Sequence, residues 1–153
     1  MGGDALERLR EDRHQIEELL QTFANRYGKP VRERVEARRL ATLIFTLLRV
    51  HERLETELLQ PALAAERGAA SALMHVTEQR AATMALVERL ETLSPHEPTF
   101  ADGMVQLAQQ AQAWFDVDEH EVFALAQHST VDLGALDERI AVRQEQMLSA
   151  RAD

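Results

Sequence analysis

A histidine and a glutamate one helical turn apart are the residues of this sequence best suited to bind a metal ion. His51 and Glu55 lie in VHERLETELL, a segment whose apolar residues recur at helical spacing. The pair places an imidazole nitrogen and a carboxylate oxygen on one helix face, where both atoms can ligate a divalent cation. Asp118, in WFDVDEHEVF, is a third candidate ligand. One His-Glu pair on a helix is nevertheless weak support for a metal site.

Other histidines near carboxylates are expected to form solvated pairs on the surface. These groups are His14 with Glu17 and Glu18, His75 with Glu78, and His120 near Asp118 and Glu121. The sequence carries no glycine-rich phosphate loop, nucleophile motif or catalytic triad. We therefore expect a protein that is not an enzyme.

The composition predicts a single domain over residues 1–153, long enough to form a hydrophobic core without cross-links. The absence of cysteine excludes disulfides and thiolate metal sites and suits a cytoplasmic location. A net charge of −9 argues against nucleic acid as a partner, because phosphate binding needs a concentrated basic face. No apolar run approaches the roughly 20 residues that span a bilayer, so we expect no membrane insertion.

The pattern of apolar residues and helix-breaking residues predicts an all-α chain of four long helices and a shorter fifth. The first helix is expected from the N-cap Asp4 to about Tyr27, with Gly28 as its stop, and the second from Pro30 to about Glu66, with a bend at Pro61. After a break at Gly68, the third helix is expected from about Ser71 to Leu93. The fourth is expected from the N-cap Thr99 to about Gln127, and the last is capped by Asp132. Short connections between long helices indicate an antiparallel up-down four-helix bundle, with the additional C-terminal helix packed outside it.

Residues that recur at steps of three and four define the inward face of each helix. In the first helix Arg13 lies roughly 50° from the mean direction of that face, whereas His14 lies roughly 150° away and points outward. The second helix presents Ile44, Leu47, Leu48, His51, Glu55, Leu58 and Ala62. Each long helix places a polar residue or a tryptophan inward, and the set is Arg13, His51, Glu55, Arg80, Trp114 and Asp118.

Isolated buried charges are costly, so we expect Arg13 and Arg80 to contact Glu55 and Asp118. Removing one arginine would then leave a carboxylate unpaired, and Arg13→Ala should cost about 3–5 kcal/mol of stability. Two alternatives stay open. Either arginine could extend to the end of the bundle, or the third helix could be shifted by one residue so that Gln79 faces inward.

Three segments resemble the helix motifs of hemerythrin-like proteins, also called HHE cation-binding domains. VHERLETELLQPAL, residues 50–63, is similar to the second-helix motif, with His51, Glu55 and Pro61 at its characteristic positions. WFDVDEHEVFALA, residues 114–126, resembles the fourth-helix motif with Asp118 at the carboxylate position, and LREDRHQIEELL resembles the first-helix motif. The resemblance implies a four-helix bundle with a non-haem di-iron centre held by inward histidines and carboxylates.

The sequence departs from that motif at three positions where the family has ligand histidines, which are occupied by Arg13, Arg80 and Trp114. A guanidinium group cannot ligate a metal ion, so these departures predict that the di-iron site is dismantled. The favoured hypothesis is a metal-free structural, sensing or protein-interaction module without a cofactor. One alternative is a single non-haem iron or zinc ion bound by His51, Glu55, Asp118 and water for storage or sensing; another is an intact di-iron site.

The partner of such a module is not encoded in any motif of the sequence. The apolar residues of the last helix either cap the bundle or form a face for a second copy of the chain. They are Leu133, Leu136, Ile140, Val142 and Met147.

Overall fold

The computed structural model describes residues 4–27 and 34–152, which are almost entirely helical. The elements are α1 (Ala5–Tyr27), α2 (Arg34–Leu54), π1 (Glu55–Leu59), α3 (Gln60–Leu63), α4 (Ala69–Glu91), α5 (Pro98–Val117), π2 (Asp118–Val122), α6 (Phe123–Gln127) and α7 (Leu133–Ala152). Because α2, π1 and α3 are continuous, as are α5, π2 and α6, the described residues form five helices.

The predicted all-α bundle with an additional C-terminal helix is confirmed. Helix α1 packs against α2 and α5, and α4 packs against α5, which closes the four-helix core. Helix α7 lies against α1 and α2. Its Leu136, Ile140 and Met147 are buried, whereas Val142 is 56% exposed, so one face of this helix covers the bundle. No helix in the described ranges is both long enough and apolar enough to span a membrane.

Helix boundaries follow local capping chemistry. Asp4 Oδ1 accepts a hydrogen bond from the Glu7 N–H at 2.9 Å, and Asp132 Oδ1 accepts one from the Ala135 N–H at 3.0 Å, so two of the three predicted N-caps are confirmed. Gly68, with φ of 87°, adopts the left-handed conformation that separates α3 from α4. The predicted stop at Gly28 and start at Pro30 lie outside the described residues.

Boundaries of three helices lie two or three residues from the predicted positions. Thr99 is not an N-cap, because the N-cap is Glu97 and α5 begins at Pro98, which suits the first turn since proline has no N–H to leave unpaired. The second helix ends at Leu63 rather than near Glu66, and α4 begins at Ala69 rather than at Ser71.

Two π-helical turns interrupt the bundle helices at the candidate ligand positions. The Glu55 carbonyl accepts from the Gln60 N–H, and the Asp118 carbonyl accepts from the Phe123 N–H, five residues apart instead of the four of an α-helix. The wider turn π1 shifts the buried face by one residue. Leu59 and Leu63 are therefore buried, whereas Leu58 and Ala62, which the sequence predicted to face inward, are only half-buried.

Candidate metal centre

The six residues predicted to face inward all lie in the interior, and all four bundle helices contribute. Each is at most 7% exposed, and the six are Arg13, His51, Glu55, Arg80, Trp114 and Asp118. Arg80 is buried and Gln79 is half-buried, so α4 is not shifted by one residue. The regular periodicity of each helix up to these positions explains why the sequence located them.

Three of these side chains bring together atoms that can bind a cation. His51, Glu55 and Asp118 each offer a ligand atom, and the three atoms lie within 4.8 Å of one another. Among the described residues this is the one group of three or more histidines and carboxylates with such an arrangement. His51 and Glu55 come from consecutive turns of one helix, and Asp118 begins π2 on the fourth bundle helix.

Several atoms of this group lack hydrogen bonds to any described residue. They are His51 Nδ1 and Nε2, Glu55 Oε1, and both carboxylate oxygens of Asp118, all of them buried. His51 Nε2 lies 3.2 Å from Glu55 Oε1, but the two atoms do not have hydrogen-bond geometry. Buried polar atoms without partners are unusual, because each loses its hydration without compensation.

The second carboxylate oxygen of Glu55 is occupied by donors. Glu55 Oε2 accepts from Trp114 Nε1 at 3.1 Å and from Arg80 Nη1 at 3.3 Å. Arg80 Nη2 also donates to Gln60 Oε1 at 2.6 Å and to Thr77 Oγ1 at 3.3 Å. Glu55 thus has one oxygen directed at protein donors and one directed at His51.

Arg13 does not pair with Glu55 or Asp118, contrary to the sequence prediction. Its Nη1 donates to the Phe115 carbonyl at 2.8 Å, and its Nη2 donates to Glu119 Oε2 at 2.9 Å. The Glu119 side chain is 37% exposed, whereas Asp118 is fully buried. The long arginine side chain reaches outward to this partly hydrated acceptor, where less desolvation is required.

The aromatic surroundings of Arg13 were not predicted either. Its guanidinium carbon lies 4.8 Å from the centre of the Phe123 ring, within cation–π range. Phe123 follows π2, whose wider turn changes the direction of every residue after Asp118. Helical periodicity carries no signal for such a turn, so neither Phe123 nor Glu119 could be assigned to the site.

The two buried carboxyl groups influence each other's protonation. Burial by itself raises the pKa of Glu55, but the adjacent Asp118 carboxyl, contact with His51 and the charge of Arg80 outweigh burial and lower this pKa to about 2. Burial, followed by the negative charge of Glu55, raises the pKa of Asp118 well above its usual value. Without a cation, Asp118 therefore takes up a proton before Glu55 as the pH falls.

The other histidine–carboxylate pairs lie at the surface. The His14 side chain is 72% exposed, 3.7 Å from Glu17. His75 is also exposed, but its Nδ1 contacts Glu121 Oε2 of π2 at 2.5 Å rather than the predicted Glu78. None of these pairs belongs to a group of three ligands among the described residues.

The interior residues fit one cation better than two. A two-metal centre needs several imidazoles and bridging carboxylates, but Arg13, Arg80 and Trp114 offer donor N–H groups and no ligand atom. The remaining three residues supply one nitrogen and carboxylate oxygens, the ligands that zinc and non-haem iron accept.

Comparison with solved structures identifies the fold. The chain superposes on a hemerythrin HHE cation-binding domain-containing protein from Mycobacterium kansasii with a TM-score of 0.82 and 22% sequence identity, over 97% of this chain and 89% of that chain. No protein-family model and no curated protein sequence matches the chain. The resemblance noted in the sequence is thus confirmed as a hemerythrin-like fold.

Proposed function

We propose that this protein binds one divalent cation, zinc or ferrous iron, between His51, Glu55 and Asp118. The observation that carries the proposal is the convergence of buried ligand atoms that have no hydrogen-bond partner among the described residues. Coordination would give one such atom of each residue a partner, and water would complete the usual four ligands. Two carboxylates also balance the charge of a divalent ion.

The chain's own residues prepare the site. Trp114 and Arg80 hold Glu55 Oε2, so that Oε1 stays directed at His51. A carboxyl group ligates in its deprotonated form, so the raised pKa of Asp118 means that a cation competes with a proton for this residue. Because the ligands are fully buried, the proposed role is storage or sensing of the ion rather than turnover of a substrate.

A metal-free structural, sensing or protein-interaction module is the second candidate. It is supported by the donors that already satisfy Glu55 Oε2 and by the raised pKa of Asp118, which favours the neutral form of that carboxyl. In this state the positive charge of Arg80 offsets the negative charge of Glu55 without an ion. Such a metal-free module would bind a partner protein or a second copy of the chain.

Calorimetric titration with zinc separates the two candidates. Protein purified without affinity metals and treated with chelator should bind one zinc ion, and His51→Ala should weaken binding by roughly 100-fold or more, since even residues that only orient ligands contribute 10–100-fold. The matched control is His14→Ala, at an exposed histidine. Absence of binding by the unmodified chain would favour the metal-free module.

A further inference from the structure

We infer that Arg80 sets how tightly this site holds its cation, and that it weakens the binding. The inference rests on the proposed cation site and concerns a residue that does not itself ligate. Residues beside metal ligands normally orient them and strengthen binding. Arg80 differs because it places a permanent positive charge in contact with a ligand carboxylate.

Arg80 is fixed at this position. Its side chain is 6% exposed, and its guanidinium donates to acceptors from three side chains, those of Glu55, Gln60 and Thr77. The shortest of these hydrogen bonds, 2.6 Å to Gln60 Oε1, does not involve Glu55. The charge would therefore stay beside the site when Glu55 binds a cation, because Gln60 and Thr77 hold it there.

The position of this charge has two consequences for Glu55. Its Oε2 is shared by Arg80 and Trp114, so only Oε1 is free to ligate, and Glu55 cannot bind a second ion through its other oxygen. The guanidinium also repels a cation held at Oε1, and it cannot relieve that repulsion by losing a proton. Arg80 thereby restricts the site to one loosely held ion.

Neutralising this charge should tighten cation binding. In Arg80→Gln the amide can still donate to Glu55, but the positive charge is gone, and we expect the dissociation constant for zinc at pH 7 to fall by roughly 10–100-fold. The matched control is Arg89→Gln, which removes the same charge from an exposed position on α4. We expect its dissociation constant to stay within about twofold of the unmodified chain. Competition with a chelating dye measures the zinc dissociation constants of the unmodified chain and of the two variants.

A second variant tests the same charge without removing the arginine. Gln60→Glu keeps the side-chain shape and places a carboxylate against Arg80 Nη2, so it should also lower the zinc dissociation constant. This variant decides the question if Arg80→Gln does not fold.

The outcomes separate this inference from the proposed function. Tighter binding by Arg80→Gln or by Gln60→Glu, with Arg89→Gln unchanged, supports it. Unchanged or weaker binding in both folded variants, with one zinc bound by the unmodified chain, overturns the inference and leaves the cation site in place. Absence of zinc binding in the unmodified chain and in both variants overturns both.

Discussion

The two inward arginines differ in the carboxylate that each one contacts. Arg80 pairs with Glu55, whose side chain is 1% exposed, whereas Arg13 pairs with Glu119, whose side chain is 37% exposed. Glu119 also accepts from Arg10 Nε, so it keeps a partner when Arg13 is absent. Loss of each arginine therefore has a different cost.

Arg80→Ala should destabilise the chelator-treated protein by about 3–5 kcal/mol, because it leaves the negative charge of Glu55 buried without its cationic partner. Arg13→Ala should cost only about 1–2 kcal/mol, the contribution of hydrogen bonds to a partly hydrated carboxylate and a carbonyl. This revises the larger cost that the sequence predicted for Arg13. Urea unfolding measures both, and an equal or greater loss for Arg13→Ala would contradict the assignment of partners.

The raised pKa of Asp118 predicts a pH dependence of stability. A carboxyl whose pKa is raised by folding contributes stability that is complete below its unfolded value, near pH 4, and is lost as the pH rises through the raised value. Glu55 acts in the opposite sense, and its contribution is lost only as the pH falls toward 2. Chelator-treated protein should therefore be less stable at pH 9 than at pH 5.

Asp118→Asn tests whether this carboxyl is the cause. The amide can donate to Glu55 at every pH, so the decline in unfolding free energy between pH 5 and pH 9 should shrink. Asp116→Asn, at an exposed position of α5, should leave the decline unchanged. If Asp118→Asn declines as steeply as the unmodified chain, Asp118 is not the group that titrates.

At the scale of elements, the two π-helical turns mark the limit of what the sequence could predict. The inward face of α1 follows regular α-helical spacing, so Leu6, Leu9 and Ile16 were located from the sequence and are buried. After Glu55 the same spacing selected Leu58, but the extra residue of π1 brings Leu59 inward. Backbone hydrogen bonds decide where a π-helical turn forms, and hydrophobic spacing does not report them.

The register after π1 can be tested with adjacent leucines. Leu59→Ala should cost about 2–5 kcal/mol, because it removes a fully buried side chain from the core. Leu58→Ala, at a half-buried position, should cost less than about 1.5 kcal/mol. Urea unfolding of the two variants compares them directly, and the reverse order would mean that the helix continues in α-helical register past Glu55.

At the scale of the whole molecule, the sequence predicted the bundle but not all of its long-range contacts. Hydrophobic periodicity and capping residues determine helix number and packing, and both were readable. The ion pairs of α7 could not be predicted from the sequence. Arg8 Nε lies 2.6 Å from Asp137 Oδ1, and Arg143 Nε lies 2.8 Å from Glu57 Oε2. Long side chains choose among several nearby partners, so their pairing follows from the packed structure rather than from spacing.

Cation binding should stabilise the whole bundle, because the proposed ligands join two of its long helices. At a free zinc concentration 100 times the dissociation constant, the gain is about 2.7 kcal/mol. For a chain of this length we expect the melting temperature to rise by about 5–10 °C. Differential scanning calorimetry measures the shift, and His51→Ala should show little of it. An equal shift in His51→Ala would place the binding elsewhere.

The most direct test of the proposed site is the number of ions that each chain binds. Protein purified without affinity metals would be measured by mass spectrometry for metal content, before and after anaerobic loading with ferrous iron. We predict one ion per chain after loading, lost in His51→Ala. Two ions per chain would mean that the arginines do not restrict the site, and no ion in either sample would contradict cation binding and favour the metal-free module.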